Sequence, residues 1–340
     1  MSLSGNALTM REVNLNLMRR TLKTHRQATK QQLAAWTGLS LVTVGTLMQQ
    51  LVESGEAYEA DQVPSNGGRP AHQFCFNEAY AHVLTLFTHE HAGHDFLYLR
   101  IANLLGATVW ASDEELEDIR LETFAPRIEA CLERVPTIRA LGFGLPGFEV
   151  GGRIVALDYP ALVGERLSEY YAQRYGLPVV FENDVNAAAL GYCQRYTLPE
   201  GETVVYTYFP VRYPPGAGIC LEGRLYRGSS NFAGEISCLP LGVDWHDPAL
   251  YRSAERFVPA LARVITAVSS LLNPQRIVLH GEFLDEAALE TIRQLSAETL
   301  PLSALPRLAL SEDFSGDYQA GMITETLACL EPTLSLTHSA

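Results

Sequence analysis

Two spacings of apolar residues divide this chain of 340 residues, one helical and one alternating. Over residues 28–55 the spacing is helical twice. A first helix from about Thr29 places Leu33 and Ala34 on one face and ends near Trp36 and Thr37. Gly38 supplies a turn, because a residue without a side chain takes positive φ freely. Ser40 caps a second helix, whose Val44, Leu47, Met48 and Leu51 recur at helical spacing and form its buried side. The opposite side, with Ser40, Thr43, Gly45 and Thr46, is small and polar enough to approach base edges and phosphates. Gly55 closes that helix. Tyr58 to Phe76 then predicts a hairpin with Ser65-Asn66-Gly67-Gly68-Arg69-Pro70 at its tip, where Arg69 is a cationic fork suited to a minor groove. A plain three-helix bundle with a surface hairpin has the same outline. Turn, cap, burial pattern and basic wing together predict a winged helix-turn-helix DNA-binding domain over residues 1–72.

From residue 82 the spacing alternates. Val83 to Phe87, Asp95 to Ile101 and Ala107 to Ala111 read as three strands with a turn at Gly106. Leu121, Phe124, Ile128 and Leu132 mark a helix over 120–134, and Ile138 to Gly144 is a buried strand ending in Leu145-Pro146-Gly147. A helix over 164–175, a strand over 178–182 and a helix over 185–195 follow. Thr203 to Phe209, Gly218 to Glu222 and Arg224 to Tyr226 begin a second series, continued by a helix over 254–272 and a strand over 276–280. Three strands, helix, strand, repeated, is an α/β fold of two lobes with a cleft between them.

Charge sharpens the division. Residues 1–80 hold two Lys and five Arg against six Asp or Glu, net +1 in a chain of −14, so the remainder carries −15. Residues 11–30 contain six basic side chains (Arg11, Arg19, Arg20, Lys23, Arg26, Lys30) to one acidic, Glu12. Such a run is either a local electrostatic footprint for nucleic acid or a solvated helix face. The acidic body repels DNA, so nonspecific binding is expected to be weak and salt-sensitive. A hydrophobic content of 47% supplies large cores, without any apolar run of membrane-spanning length or a signal-peptide core. A soluble, cytoplasmic protein is expected. The six cysteines are scattered without CxxC spacing, which suggests buried free thiols rather than a metal site.

Several segments in this order resemble the ROK family (repressors, open reading frames and kinases), over nearly the whole chain. They are Gly142-Phe143-Gly144-Leu145-Pro146-Gly147, Phe181-Glu182-Asn183-Asp184-Val185-Asn186, Gly216-Ala217-Gly218-Ile219, Gly223-Arg224-Leu225 and Ala233-Gly234-Glu235-Ile236. The turn before Ser40 and Gly68-Arg69-Pro70-Ala71 look like the winged helix of the N-acetylglucosamine and xylose repressor branch. The resemblance implies an actin-like, hexokinase-like (ribonuclease H-like) fold. The first lobe would span 73–195, completed by a C-terminal helix near 318–332, and the second 196–317. It also implies a ligand site at Gly147, Asn183, Asp184 and Glu235. In family kinases the residue matching Asp184 is the base that deprotonates a sugar hydroxyl, and the Asn binds neighbouring hydroxyls. Asp184 also stands where a helix N-cap is needed, and the two roles are compatible.

The chain departs from the family's kinases at their phosphate sites. An Asp-x-Gly-x-Thr turn is replaced by Thr88-His89-Glu90-His91-Ala92-Gly93-His94, where Glu90 opposes phosphate charge. The three histidines there invite a metal, although a solvated turn is the simpler reading. The second phosphate loop carries Pro214-Pro215, which removes two amide donors, and the nucleotide turn reads His280-Gly281-Glu282. The family's zinc cluster is reduced to Cys238, and one thiolate does not make a tetrahedral site. The expectation is a repressor of a carbohydrate-related operon with a catalytically degenerate kinase-like effector domain. It would use no cofactor or metal, and Asp184 would be a relic of the catalytic base. Its partners would be a double-stranded DNA operator, a small sugar or sugar phosphate, and copies of itself in a homodimer or homotetramer. An active sugar kinase with a fused DNA-binding domain, and a ligand-independent binding module, are the alternatives.

Overall fold

The computed structural model describes residues 3–63, 71–91, 93–116, 119–157, 159–281 and 284–331. The N-terminal unit comprises α1 (Leu3–His25), β1 (Gln27–Thr29), α2 (Lys30–Thr37), α3 (Leu41–Glu53), β2 (Ala57–Val63) and β3 (Ala71–Phe76). Its sheet has the order β1-β3-β2, with both pairings antiparallel. Leu33 of α2, Val44, Leu47, Met48 and Leu51 of α3, Met18 and Leu22 of α1 and Phe74 of β3 form one core. Each large side chain buried there contributes about 1.5–3 kcal/mol. β3 extends to Phe76, so a boundary at residue 72 would cut through this sheet, and the unit includes the whole strand.

The first lobe follows with β4 (His82–His91), β5 (His94–Asn103), β6 (Thr108–Leu116), α4 (Ala125–Arg134), β7 (Ile138–Gly144), β8 (Gly147–Val150), β9 (Arg153–Leu157), α5 (Leu167–Tyr175), β10 (Val179–Glu182) and α6 (Asp184–Arg195). The second contains β11 (Val204–Tyr208), β12 (Gly216–Leu221), β13 (Arg224–Leu225), α7 (Ala254–Leu272), β14 (Arg276–His280), α8 (Glu286–Ala297), β15 (Arg307–Leu310) and α9 (Phe314–Ala328). The sheets have orders β10-β7-β4-β5-β6 and β15-β14-β11-β12-β13. In each, three antiparallel strands are extended by two parallel ones, so the topology occurs twice. The predicted helix over 164–175 starts at Leu167, because Gly164 at φ 87° ends the preceding 3-10 turn. The helix expected near 318–332 lies at 314–328.

The last helix of each lobe lies between the sheets, and small residues make room for it. α9 packs on β4 and β7 and α6 on β11 and β12. On β7, a methyl at Gly142 would lie 2.0 Å from Thr326 Oγ1, and one at Gly144 would lie 2.5 Å from the Tyr318 hydroxyl. Phe143, on the opposite face, enters the first-lobe core with Phe124 and Tyr171. The alternation Gly-Phe-Gly thus encodes one crowded face and one filled face. On β12 a methyl at Gly218 would fall 2.4 Å from Val185 O of α6. Among the described residues no helix is long and apolar enough to cross a membrane.

Candidate ligand cleft and nucleic-acid interface

In the N-terminal unit, Thr29 caps α2 in a capping box with Gln32, and Gly38 at φ 71° ends it while donating to Ala34 O at 3.0 Å. Ser40 caps α3, accepting from Thr43 N at 3.1 Å, so its hydroxyl serves the helix first. Thr43 is half-buried and its hydroxyl meets Ser40 Oγ at 2.9 Å, while exposed Thr46 donates to Val42 O at 3.2 Å. All three sit on the first two turns of α3, on the side away from the core. The residues that protrude most there were not singled out by sequence. Val42 is 81% exposed and Leu41 53%. The signal for Val42 was an apolar residue out of phase with the buried stripe, whereas Leu41 is in phase with it and is exposed because it starts the helix. Arg69 lies outside the described residues.

The basic run is less available than its count implies. Arg19 makes a two-pronged bond to Glu56, Nε–Oε2 2.5 Å and Nη2–Oε1 2.7 Å, Arg11 donates to Gln50, and Lys23 pairs with Glu331 at 3.3 Å. Arg20, Lys23 and Arg26 line a groove against Leu105 of the first lobe. Lys30 lies beside α3, with its ammonium over the Phe74 ring at 5.4 Å.

The cleft lies at the C-terminal ends of β4, β7, β10 and β11, where parallel strands leave a crevice for ligands. Its cavity of about 210 Å³ is lined by all four sequence candidates, Gly147, Asn183, Asp184 and Glu235. The helix cap is not Asp184. Asn183 caps α6, accepting from Val185 N at 2.9 Å and Asn186 N at 3.1 Å, and its amide donates to Gly147 O at 3.2 Å. β10 ends one residue earlier than a cap at Asp184 requires, which leaves Asp184 as the first helical residue, buried at the cavity wall. Asn183 therefore holds the β8 turn to α6, and its oxygen is committed to backbone amides. Asn183→Ala is expected to lower stability by about 0.5–2 kcal/mol, the loss of a cap, whereas Asp184→Asn leaves the cap in place. Chemical denaturation of both variants checks this assignment.

Burial is the main reason that the Glu235 and Asp95 carboxyls, both at the cavity, have pKa values above the usual carboxylate range. Glu90 adds to the upward shift of Asp95, while Arg212 opposes it. Glu182, beneath the cavity floor, is raised by burial against the pull of Arg227. Across the rim, Asn231 donates to Glu149 O at 2.8 Å and Phe148 meets Phe232 edge-on at 5.6 Å, joining β8 to the second lobe. Beyond Glu90 the cleft is filled by rings. Phe314 stacks on Tyr208 at 4.3 Å and contacts His89 at 5.0 Å and His280 at 5.4 Å.

That packing corrects the solvated-turn reading for His89, which is half-buried among aromatics. His94 remains exposed beside Glu115 at 2.6 Å. The side chain of His91, and Glu282 of the nucleotide turn, lie outside the described residues. Among the described residues no three His, Cys, Asp or Glu side chains converge as a metal-binding group. The thiols are free, but Cys131 and Cys220 alone are fully buried; Cys238 and Cys329 are exposed, contrary to the expectation of buried thiols.

Residues 108–242 match the ROK family. The chain carries a ROK family domain. It is 25% identical over 244 residues to a xylose repressor of Caldicellulosiruptor bescii, covering 68% of this chain and 59% of that protein. A second Caldicellulosiruptor relative, 27% identical, is covered over 62% of its length, so the match spans about three fifths of both. An N-acetyl-D-glucosamine kinase of Vibrio cholerae is 28% identical over 150 residues, 39% of this chain and 49% of that one. The crystal structure of a ROK family transcriptional regulator, a homologue of the Escherichia coli MLC protein, superposes with a TM-score of 0.68 at 16% identity, covering 95% and 98% of the two chains. That likeness extends over the N-terminal unit and both lobes of the ROK domain chain, and it establishes a shared mixed α/β fold.

Proposed function

We propose that this chain is a DNA-binding transcriptional repressor whose two-lobed body senses a small sugar and does not transfer phosphate. Residues 3–76 would be a winged helix-turn-helix, with α3 in the major groove and the β2–β3 hairpin as wing. The first lobe, closed by α9, and the second lobe would form an actin-like sensor. The observation that carries the reading is α3 itself, with one side sealed in the core and its capped first turn presented to solvent next to a hairpin. Similarity to proteins named xylose repressors supports it. A homodimer or homotetramer, in the cytoplasm, would set two such helices on two half-sites. Sugar entry would shift the lobes and so the spacing of those helices.

The chemistry of the cleft supports sensing over catalysis. Phosphate needs donors and positive charge. The nucleotide side offers Glu90, two prolines without amides, and the packed rings of Phe314, Tyr208 and His280. Asp184 and Glu235 suit the hydroxyls of a neutral sugar, and with Asp95 they repel a sugar phosphate. Thermal denaturation should therefore show stabilisation by a neutral sugar from a panel including xylose and N-acetylglucosamine, and none by the matching phosphates. No ADP should form from ATP with glucose, N-acetylglucosamine, N-acetylmannosamine, allose or xylose. Sugar-dependent ADP release that Asp184→Asn abolishes would contradict the proposal.

Ligand affinity should also depend on pH. The ionised carboxylates are the better acceptors, and burial raises the pKa of Glu235. As pH is lowered, affinity should begin to fall before the range in which an ordinary glutamate protonates, near about 4.3, is reached. Calorimetric titration of the stabilising sugar at several pH values measures this. Constant affinity down to the ordinary range would remove Glu235 from the site.

A further inference from the structure

The sequence of α3, Leu-Val-Thr-Val-Gly-Thr-Leu-Met-Gln-Gln-Leu-Val-Glu, contains neither lysine nor arginine. Its single charge, Glu53, accepts a bond from Gln49 at 2.9 Å. The hydroxyl proton of Thr46 is given to Val42 O, and of the two hydroxyl protons of Ser40 and Thr43 one is used in the bond between them. What the first two turns present outward is therefore apolar surface, from Val42 and Leu41, together with small hydroxyls and no cationic side chain. Guanine shows two acceptors, N7 and O6, in the major groove and is read chiefly by the paired donors of arginine or by lysine, whereas amide side chains pair with adenine. An A·T pair shows the thymine C5-methyl, an apolar feature, and the adenine N6 donor. The face of α3 complements A·T and has no cationic donor to offer guanine. Positive charge for the phosphates comes from elsewhere, with Lys30 placed at the flank of α3 next to Gly45.

We propose that Val42, with Leu41 beside it, contacts thymine C5-methyl groups, so that the half-site under α3 is read as A·T pairs. The assignment rests on the DNA-binding reading above and names what that interface selects. Leu41 and Val42 are adjacent and lie at the capped, solvent-facing start of α3, where a thymine methyl would meet apolar surface.

The test uses the full chain. A duplex pool with randomised positions is selected for binding, and each thymine of the recovered site is then replaced by deoxyuridine, which lacks only the methyl. The expected result is a site with A·T pairs at its invariant major-groove positions, where one or two uridine replacements weaken binding about three- to ten-fold, the contribution of one buried methyl. Val42→Ala, on an exposed helical position, should retain the fold and lose that sensitivity to uridine in a double-mutant cycle. Binding indifferent to every uridine replacement, or invariant G·C pairs at the centre of each half-site, overturns the assignment while leaving DNA binding intact. Recovery of no duplex overturns both. If Val42→Glu then dissociates an oligomer in sedimentation, the apolar turn belongs to contact between copies of this chain.

Discussion

Arg227→Met is expected to destabilise the protein by about 3–5 kcal/mol at neutral pH, the usual effect of stranding one partner of a buried ion pair. Arg227 follows β13 in the second lobe and reaches Glu182 at the end of β10 in the first, Nη2–Oε2 2.6 Å, and Glu325 of α9 at 2.9 Å. Glu182 is 4% exposed, and its other oxygen accepts from Asn183 N at 2.9 Å and Asn186 Nδ2 at 3.0 Å. One guanidinium thus joins both lobes and the C-terminal helix directly under the cleft. Burial already holds the Glu182 pKa above the usual range. The folded state then binds that proton more tightly than the unfolded state, so stability from this group falls as pH rises through the folded value. Without Arg227 the shift grows, and the deficit should be larger at about pH 8 than at about pH 5. Denaturant titrations at both values measure it. Glu182→Gln added to Arg227→Met should recover much of the loss, because the amide oxygen still accepts both bonds. A deficit that grows on acidification would show that the pair does not carry the effect.

Gly191→Ala is expected to have an effect of similar size, about 3 kcal/mol or more, from overpacking. A methyl at Gly191 in α6 would sit 1.8 Å from Asp317 O, and one at Gly321 in α9 would sit 1.8 Å from Ala187 O. The two helices cross with backbones in contact at these glycines, and no side-chain rotation relieves a clash with main chain. Separating them also disturbs Asp317, whose carboxylate accepts from Arg195 at 2.7 Å, Ser311 at 2.6 Å and Tyr206 at 3.2 Å. Gly321→Ala should behave alike. Gly45→Ala, in α3 with an ordinary helical backbone and only Lys30 Nζ within 4 Å, at 3.9 Å, removes no such contact and separates close approach from the loss of glycine in general. Wild-type melting temperatures for Gly191→Ala would contradict the packing described.

Regular periodicity made the fold legible. The strands 138–144 and 276–280 and the helix 254–272 occupy the residues their apolar spacing predicts. The helix 286–297 and the strand 307–310 carry the same signals, including an Asp285 cap, and were not read from the sequence. The β8–β9 hairpin was missed because four residues of alternation next to glycine-rich turns resemble a loop.

For the cleft, the family motifs located Asp184 and Glu235, but adjacent Asn183 and Asp184 are both good caps. Choosing between them requires knowing where β10 stops. The ring cluster of His89, Tyr208, His280 and Phe314 comes from four distant segments, and Arg19 and Lys23 find Glu56 and Glu331 far along the chain. Such pairings are set by tertiary structure, and local sequence carries no sign of them.

The most direct measurement is fluorescence anisotropy of the full chain on duplex fragments from the region flanking its own coding sequence, titrated at about 50 and 200 mM salt. The account predicts binding to at least one fragment, weakening by a factor on the order of 10–1,000 across that range and altered by the sugar that stabilises the fold. No binding at the lower salt, or binding indifferent to salt, would contradict it.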